Sequence, residues 1–319
     1  MTAEPLRSLS AAKHVKAFSP HHAPAYRVAP GERVRVETLC SASGSIRRPA
    51  TAESNDELRA KVGWMRGMPM TGPIFVEGAE PGDALAVRID AIAVADVGWT
   101  DVMIGRGAVA DLITEAEVRT FRIVDGAIDF GFGVQLPLTP MIGAIGTAPR
   151  DQALDAGIPA ALGGNLDCTL VKPQSTLYLP VNVPGALLGL GDLHAAMGDG
   201  EVGNAGLEVG GSVTLRCAVV KDHGMPLPLV DTGTLVATIA SAPNLERAAR
   251  QAVQTMVRWI VQSSDLSIND AAMLVSFAGD LRVCQVVNSL MTCRLEMPKN
   301  VLGSLGIELL AFTGSAPHG

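Results

Sequence analysis

Residues 191–201, reading GDLHAAMGDGE, are the densest concentration of polar groups in an otherwise apolar chain. Asp192 and His194 stand two residues apart. On an extended segment that spacing sends both side chains to one face, where a carboxylate and an imidazole can converge on a metal ion. Asp199 and Glu201 repeat the spacing beyond the small Ala195-Ala196 pair. Upstream, Asn165 and Asp167 repeat it again, behind two glycines that permit close backbone approach. Any one pair alone reads as an ordinary turn, since Gly-Asp and Asp-Gly are common turn dipeptides. A lone histidine in such a setting reads as a hydrogen-bonded structural group. Six oxygen or nitrogen side chains within 37 residues, set between hydrophobic segments, point instead to one site.

Other reactive groups are weaker candidates. Cys168 directly follows Asp167 and invites a nitrilase-like reading. A thiolate needs a cation or a helix N-terminus beside it, and strand alternation turns Cys168 away from the face of Asp167. It reads as a buried structural thiol. The Gly/Ser-rich motif that surrounds a Ser-Ser-Lys amidase triad is missing. His21 and His22 are adjacent, so at most one reaches a given site from an extended chain. Solvation is their default, as it is for Glu80.

The elements that must hold these residues are mostly strands. Residues 33–38, 83–94 and 176–183 alternate apolar and polar side chains, with a phase shift near Ala91. Three Pro-Gly dipeptides (Pro30-Gly31, Pro81-Gly82 and Pro184-Gly185) adjoin these strands and predict hairpin-like type II turns. The last third changes character. Asn244 can cap a helix through Gln262, and Ser267 with Asp270 resembles a capping box for a second helix to about Phe277. Strands return at 282–287 and 293–297. The expected fold is mostly β, a β-sandwich or jelly-roll-like core with a C-terminal α+β addition containing an αα-hairpin. A division into a β-rich half, 1–150, and a motif-bearing half, 151–319, is soft and compatible with one intertwined domain.

Residues 159–216 resemble the acetamidase/formamidase family: GGN-x-D, YLPV-x-V-x-GA and GD-x-H-x-x-x-GDGE occur in the family's order. Residues 71–83, 137–149 and 274–287 are similar too. The resemblance implies a largely β architecture and hydrolysis of short linear amides, such as formamide or acetamide, to a carboxylic acid and ammonia. It makes Asn165, Asp167, Asp192, His194, Asp199 and Glu201 active-site candidates. It also suggests His22 for substrate contact. Two residues depart from the family pattern. Met197 stands where glutamine is common, and Gln174 where glycine is expected. A thioether cannot replace an amide's two-sided hydrogen bonding, so Met197 at the pocket favours a larger amide or an imide as substrate.

Chemistry then assigns roles. Asp192, His194 and Asp199 are expected to bind a divalent metal, Zn²⁺ best, with Ca²⁺, Mn²⁺ or Fe²⁺ as alternatives. Glu201 is expected to move the proton, a role exchangeable with that of Asp199, Asn165 to stabilise the oxyanion, and Asp167 to orient the amide NH₂. A catalytically silent metal- or ligand-binding jelly roll is the reading from another class. Lys+Arg 25 against Asp+Glu 32, without a basic run, argues against nucleic acid as a partner. No apolar run approaches the roughly 18 residues of a membrane span, and the start lacks the apolar region of a secretory signal. Five cysteines without a C-x-x-C read as reduced thiols of a cytoplasmic protein. An apolar content of 48% against 18% charged residues suggests a homo-oligomer.

Overall fold

The computed structural model describes residues 6–44 and 68–309. Alternation in the strand Ala84–Val94 shows how its layers arise. Leu85, Val87 and Ile89 enter one core, shared with Val34, Val36, Val213 and Leu215 of the same sheet and Ile142, Leu188 and Leu190 of another. Ala84 and Ala86 point the other way, into a second core built with Tyr178, Leu295, Met297 and the helical residues Ala252, Met256 and Ile260. A nine-stranded sheet is therefore covered by an eleven-stranded sheet on one face and by helices on the other. The body is a β-sandwich with a helical outer layer. Strands from either side of residue 150 alternate in both sheets.

The phase shift read near Ala91 is a bulge. Thr214 pairs with Ala91 and Leu215 with Ile89, leaving Asp90 as the extra residue. The helices follow their caps. Asn244 accepts from the Arg247 amide at 2.9 Å and opens the helix Leu245–Ser263. Ser267 accepts from the Asp270 amide at 3.1 Å and opens Ile268–Ala278. The returning strands are Asp280–Gln285 and Met291–Pro298. Among the described residues no helix is long and apolar enough to cross a membrane.

The three Pro-Gly turns depart from expectation in one respect. Their glycines adopt φ of 83°, 101° and 75°, as type II geometry requires. The strands they join, however, do not pair as hairpins. Tyr26–Val28 leads to Arg33–Thr38, Met70–Val76 to Ala84–Val94, and Thr176–Pro180 to Leu188–His194, each time crossing between the large sheets. Both flanking strands bury side chains in the same core from opposite sides, so the chain must arch over rather than fold back.

One arch is sterically closed. A Cβ on Gly185 would collide with the Phe75 ring, whereas one on Gly82 would meet open space. Both glycines have positive φ, so both alanine variants carry the left-handed penalty of about 1–2 kcal/mol. Gly185→Ala is expected to destabilise by at least about 1 kcal/mol more than Gly82→Ala. Denaturant midpoints measure the difference, and equal midpoints would show that Phe75 yields freely.

Candidate active site

The site forms where two neighbouring strands change phase together. In Leu188–His194, Leu188 and Leu190 enter the sandwich core, and so does Leu193, three residues on. In the partner strand Met141–Gly146, Ile142 and Ile145 do the same. Asp192 sits at the change with φ 57°, opposite Gly143. Strict alternation from Leu190 would have driven Asp192 and His194 into hydrocarbon. The left-handed residue instead turns both away from it, on one side of the sheet. Asp192 Oδ2 lies 3.6 Å from His194 Nε2.

Further acids arrive from three other segments. Asp167 follows the strand Gly163–Asn165 with φ 46°, while Leu166 and Cys168 on the opposite face join the core. Glu201 comes from a turn with φ 47°. Glu208 opens the short strand Glu208–Val209 and pairs directly with His194 across the sheet. Three non-glycine acids in left-handed backbone store strain of order 1–3 kcal/mol each, a pattern of functional sites.

Their hydrogen bonds follow one rule. Asp167 Oδ2 accepts from Asn288 Nδ2 at 2.8 Å, Glu201 Oε1 from the Gly206 amide at 3.0 Å, and Glu208 Oε2 from Ser41 Oγ at 2.5 Å. The remaining oxygens, Asp167 Oδ1 and Glu201 Oε2, are buried without a hydrogen-bond partner, as is Asn165 Oδ1. Glu208 Oε1 approaches His194 Nε2 at 2.9 Å without hydrogen-bond alignment. Each of these carboxylates thus commits one oxygen to the protein and leaves the other for the site. A polar cavity of about 210 Å³ lies against Asn165, Asp192, Glu201, Glu208 and Asn288.

The electrostatics demand a cation or bound protons. Burial and then the Asp192 charge raise Asp167 to about 7 and Glu208 to about 8. Burial and then Asp167 raise Glu201 well above the carboxylate range. Burial alone would push His194 down, but Glu208 and Asp192 outweigh it and hold its pKa well above the usual value. Two overlapping groups, Asp192–His194–Glu208 and Asp167–His194–Glu201, bring their ligand atoms within 4.8 Å of one another. Tetrahedral ligands with bonds near 2.0–2.1 Å stand about 3.3 Å apart, between the two distances measured at His194 Nε2. The donor set fits a divalent metal.

The remaining candidates divide. Asn165, Asp167, Asp192, His194 and Glu201 are brought together. Asp199 stands apart from both groups: Arg294 Nη1 and Nη2 grip its carboxylate at 2.9 and 2.7 Å, and Thr169 Oγ1 donates to it at 2.7 Å. An acid so neutralised is a poor metal ligand, and it is Glu208 that stands with Asp192 and His194. Met197 reaches the site indirectly, its Sδ 3.3 Å from His194 Nδ1. His22 lies half-buried between the strands Ala17–Phe18 and Tyr26–Val28, outside both groups. Cys168 has a partner that spacing did not reveal. Hydrogen bonding from Cys284, against the effect of burial, lowers its pKa, with Arg294 assisting. It remains wholly buried in the sandwich core.

The profile of the acetamidase/formamidase family matches residues 6–161 and 157–303. The chain belongs to that family. An acetamidase from Bacillus halodurans is 39% identical with a TM-score of 0.87, covering 94% of this chain and 100% of that one. A predicted acetamidase/formamidase from Thermoanaerobacter tengcongensis is 41% identical with a TM-score of 0.89, covering 95% and 99%. The formamidase of Methylophilus methylotrophus is 25% identical over 272 residues, a match that spans 66% of that protein's length. A Schizosaccharomyces pombe relative with a provisional formamidase name is 28% identical over 252 residues, so the match spans 60% of that protein's length. Membership accounts for the order of the three motifs, which here supply Asn165 and Asp167, the cross-sheet arch at Pro184-Gly185, and Asp192, His194 and Glu201.

Gly143 offers a direct test of the convergence. A Cβ there would stand 2.5 Å from Asp192 Oδ2 and 2.7 Å from Asp167 Oδ1. Gly143→Ala is expected to push the two carboxylates apart, reducing divalent-metal affinity at least tenfold while the fold survives. Zinc titration with circular dichroism checks it. Unchanged affinity in the folded variant would remove these oxygens from the binding set.

Proposed function

We propose that this protein hydrolyses carboxamides to a carboxylic acid and ammonia, with a divalent metal, zinc by preference, at Asp192, His194 and Glu208. The observation that carries the reading is the set of buried carboxylates that each leave one oxygen to a shared space around an imidazole. The names of the family's relatives, acetamidase and formamidase, support the amide as substrate. A metal bound there supplies a polarised carbonyl oxygen and a bound water of lowered pKa.

The chain's own residues do the rest. Glu201 holds a proton readily, because burial and Asp167 raise its affinity. With a metal's charge holding the carboxylate ionised, its Oε2 would take a proton from water and return it to the nitrogen, which leaves as ammonia. Asn165, expected from its sequence position to stabilise the oxyanion, has its Oδ1 buried without a partner, and on that ground we assign it instead to accept an N–H of the amide. Asp167, held at one oxygen by Asn288, orients the same NH₂ group with the other. A metal displacing the Nε2 proton would leave His194 its Nδ1 proton, which faces Met197 Sδ.

Two variants separate binding from chemistry. His194→Ala is expected to lose zinc and to reduce turnover at least about a hundredfold. Glu201→Gln is expected to retain metal yet lose turnover about as severely, since an amide cannot accept the proton. Elemental analysis beside ammonia release from an amide panel measures both. Full metal and a near-normal rate in folded His194→Ala would make the histidine structural, and bound metal without ammonia release would leave a silent binding protein.

The raised pKa values also fix a stability profile. Asp167 and Glu208 bind protons more tightly folded, near 7 and 8, than their ordinary values of 3.8 and 4.5. Their stabilising contribution is therefore complete below about pH 4 and lost as pH rises through 7 to 8. In chelator, the melting temperature is expected to fall by several degrees between pH 5 and pH 8.5, and added zinc should reverse the fall at pH 8.5. A flat metal-free profile would refute the cluster's electrostatics.

A further inference from the structure

A buried donor without a protein partner borders the cavity of the carboxylates. His194 pairs directly with Glu208, and Glu208 with Trp99 of the strand Val97–Val102. Directly paired residues of antiparallel strands project to one face, with Cβ atoms about 5 Å apart. The indole of Trp99 therefore stands beside the Glu208 side chain, on the face where the acids gather. Alternation along its own strand agrees. Trp99 and Asp101 line the polar cavity of about 210 Å³, whereas Thr100 between them lines the apolar groove on the other face.

Trp99 is 1% exposed, and its Nε1 has no hydrogen-bond partner among the described residues. A buried indole N–H ordinarily finds an acceptor, and leaving it without one is costly. The ring is held in place by packing with Cys40, Ala42 and Val118. Ser41, between the first two, donates to Glu208 Oε2 at 2.5 Å. One segment thus seats both the indole and the carboxylate next to it.

The rest of the site has the opposite polarity. Asn165 Oδ1, Asp167 Oδ1 and Glu201 Oε2 are unpaired acceptors, suited to the N–H groups of a carboxamide and to a proton of water. The carbonyl oxygen of that carboxamide needs a donor. Asn204 and Asn288 border the cavity but are engaged, donating to Asp101 at 2.6 Å and Asp167 at 2.8 Å. Arg106 is exposed. His194 Nε2 faces Asp192 and Glu208, where a metal would take it. Trp99 Nε1 is left. Resting on the amide-hydrolysis reading, we propose that the Trp99 indole N–H donates to the carbonyl oxygen of the bound carboxamide and to the oxyanion it becomes, while Asn165 and Asp167 hold the NH₂ group. Trp99 thereby takes the oxyanion-stabilising part expected of Asn165. Such a bond strengthens as charge develops on the oxygen, so its loss is felt mainly in kcat.

The hydrogen is removed without the ring by placing benzothienylalanine, the sulfur isostere of tryptophan, at position 99. Zinc content and ammonia release from formamide, acetamide, butanamide and benzamide are measured for it and for the unmodified protein. In parallel, Glu201→Gln is titrated with the same amides while NMR follows its indole N–H groups, which needs no turnover and alters nothing at position 99. The chain has three tryptophans, and Trp99→Phe identifies the resonance of Trp99 by its disappearance. The isostere is expected to keep its zinc and lose at least about tenfold in kcat, with KM changed less than about threefold. The Trp99 N–H resonance is expected to move downfield as amide binds, while the other two stay. Full kcat in the isostere, or an unmoved Trp99 resonance at amide saturation, overturns the inference and leaves the amidase reading standing. Loss of zinc together with rate in the isostere makes Trp99 a structural support and overturns the inference. A moving Trp99 resonance without ammonia from any amide supports the donor's assignment and overturns the amidase reading. Neither amide binding nor turnover overturns both.

Discussion

The structure depends on holding several buried carboxylates around one imidazole, on the side of a sheet that faces away from the sandwich core. Like charges at such distances repel strongly where the dielectric is low, so nothing in the backbone would gather them spontaneously. The fold gathers them by local exceptions. Asp167, Asp192 and Glu201 take left-handed backbone, Gly143 vacates the volume that the Asp167 and Asp192 carboxylates need, and Gly206 that of the His194 ring. Two paired strands shift phase at the same level. Each exception is unfavourable alone. Together they place every free oxygen on one side of a sheet whose other side is hydrocarbon, and the ion or protons they bind repay the strain.

The helical layer reaches the site through one strand. In Met291–Pro298, Leu295 and Met297 pack under the helices, while Arg294, immediately before Leu295, points the opposite way. Its guanidinium grips Asp199, and its Nε donates to Glu296 at 2.6 Å. That grip fastens the turn carrying Glu201. The Gly200 amide bonds to the Cys284 carbonyl, and the Val286 amide bonds back to Gly200. Gln285 Oε1 meanwhile accepts from the Val287 and Asn288 amides at 2.9 Å each, holding Asn288 where its side chain meets Asp167. Asp199 thus acts on the site mechanically, through the backbone of its neighbour.

Much of this was legible in the sequence, and the boundary has physical causes. Periodicity gave the strands at Arg33–Thr38 and Ala84–Val94, even to the bulge, because burial on one face imposes a period of two. Caps gave the helices because Asn244 and Ser267 bond within three residues. Motif spacing gave Asp192 with His194 for the same local reason. Glu208 was not legible. It reaches His194 by strand pairing, and a single glutamate in AGLEVGG carries no periodic mark. Asn288 likewise arrives from a loop 121 residues away from Asp167. Asp199 misled because its spacing matches that of Asp192, whereas its partner, Arg294, lies 95 residues downstream.

The two departures from the family pattern show how different such positions are. Gln174 occupies a left-handed position, φ 69°, where glycine would rest without strain. The side chain offsets that strain locally. Its amide donates to the Asp90 carbonyl at 2.8 Å and accepts from Arg88 at 2.8 Å, bracing the bulged strand. The substitution closes on itself and leaves the site untouched. Met197 does not. A thioether is a weak acceptor and no donor, so His194 Nδ1 gains a soft contact in place of a directional bond. The thioether's other side lines an open apolar groove with Phe121, Ile128 and Leu207. One residue thereby gives the imidazole a soft, non-directional neighbour at Nδ1 and leaves Nε2, with Asp192 and Glu208 beside it, as the ring's polar side.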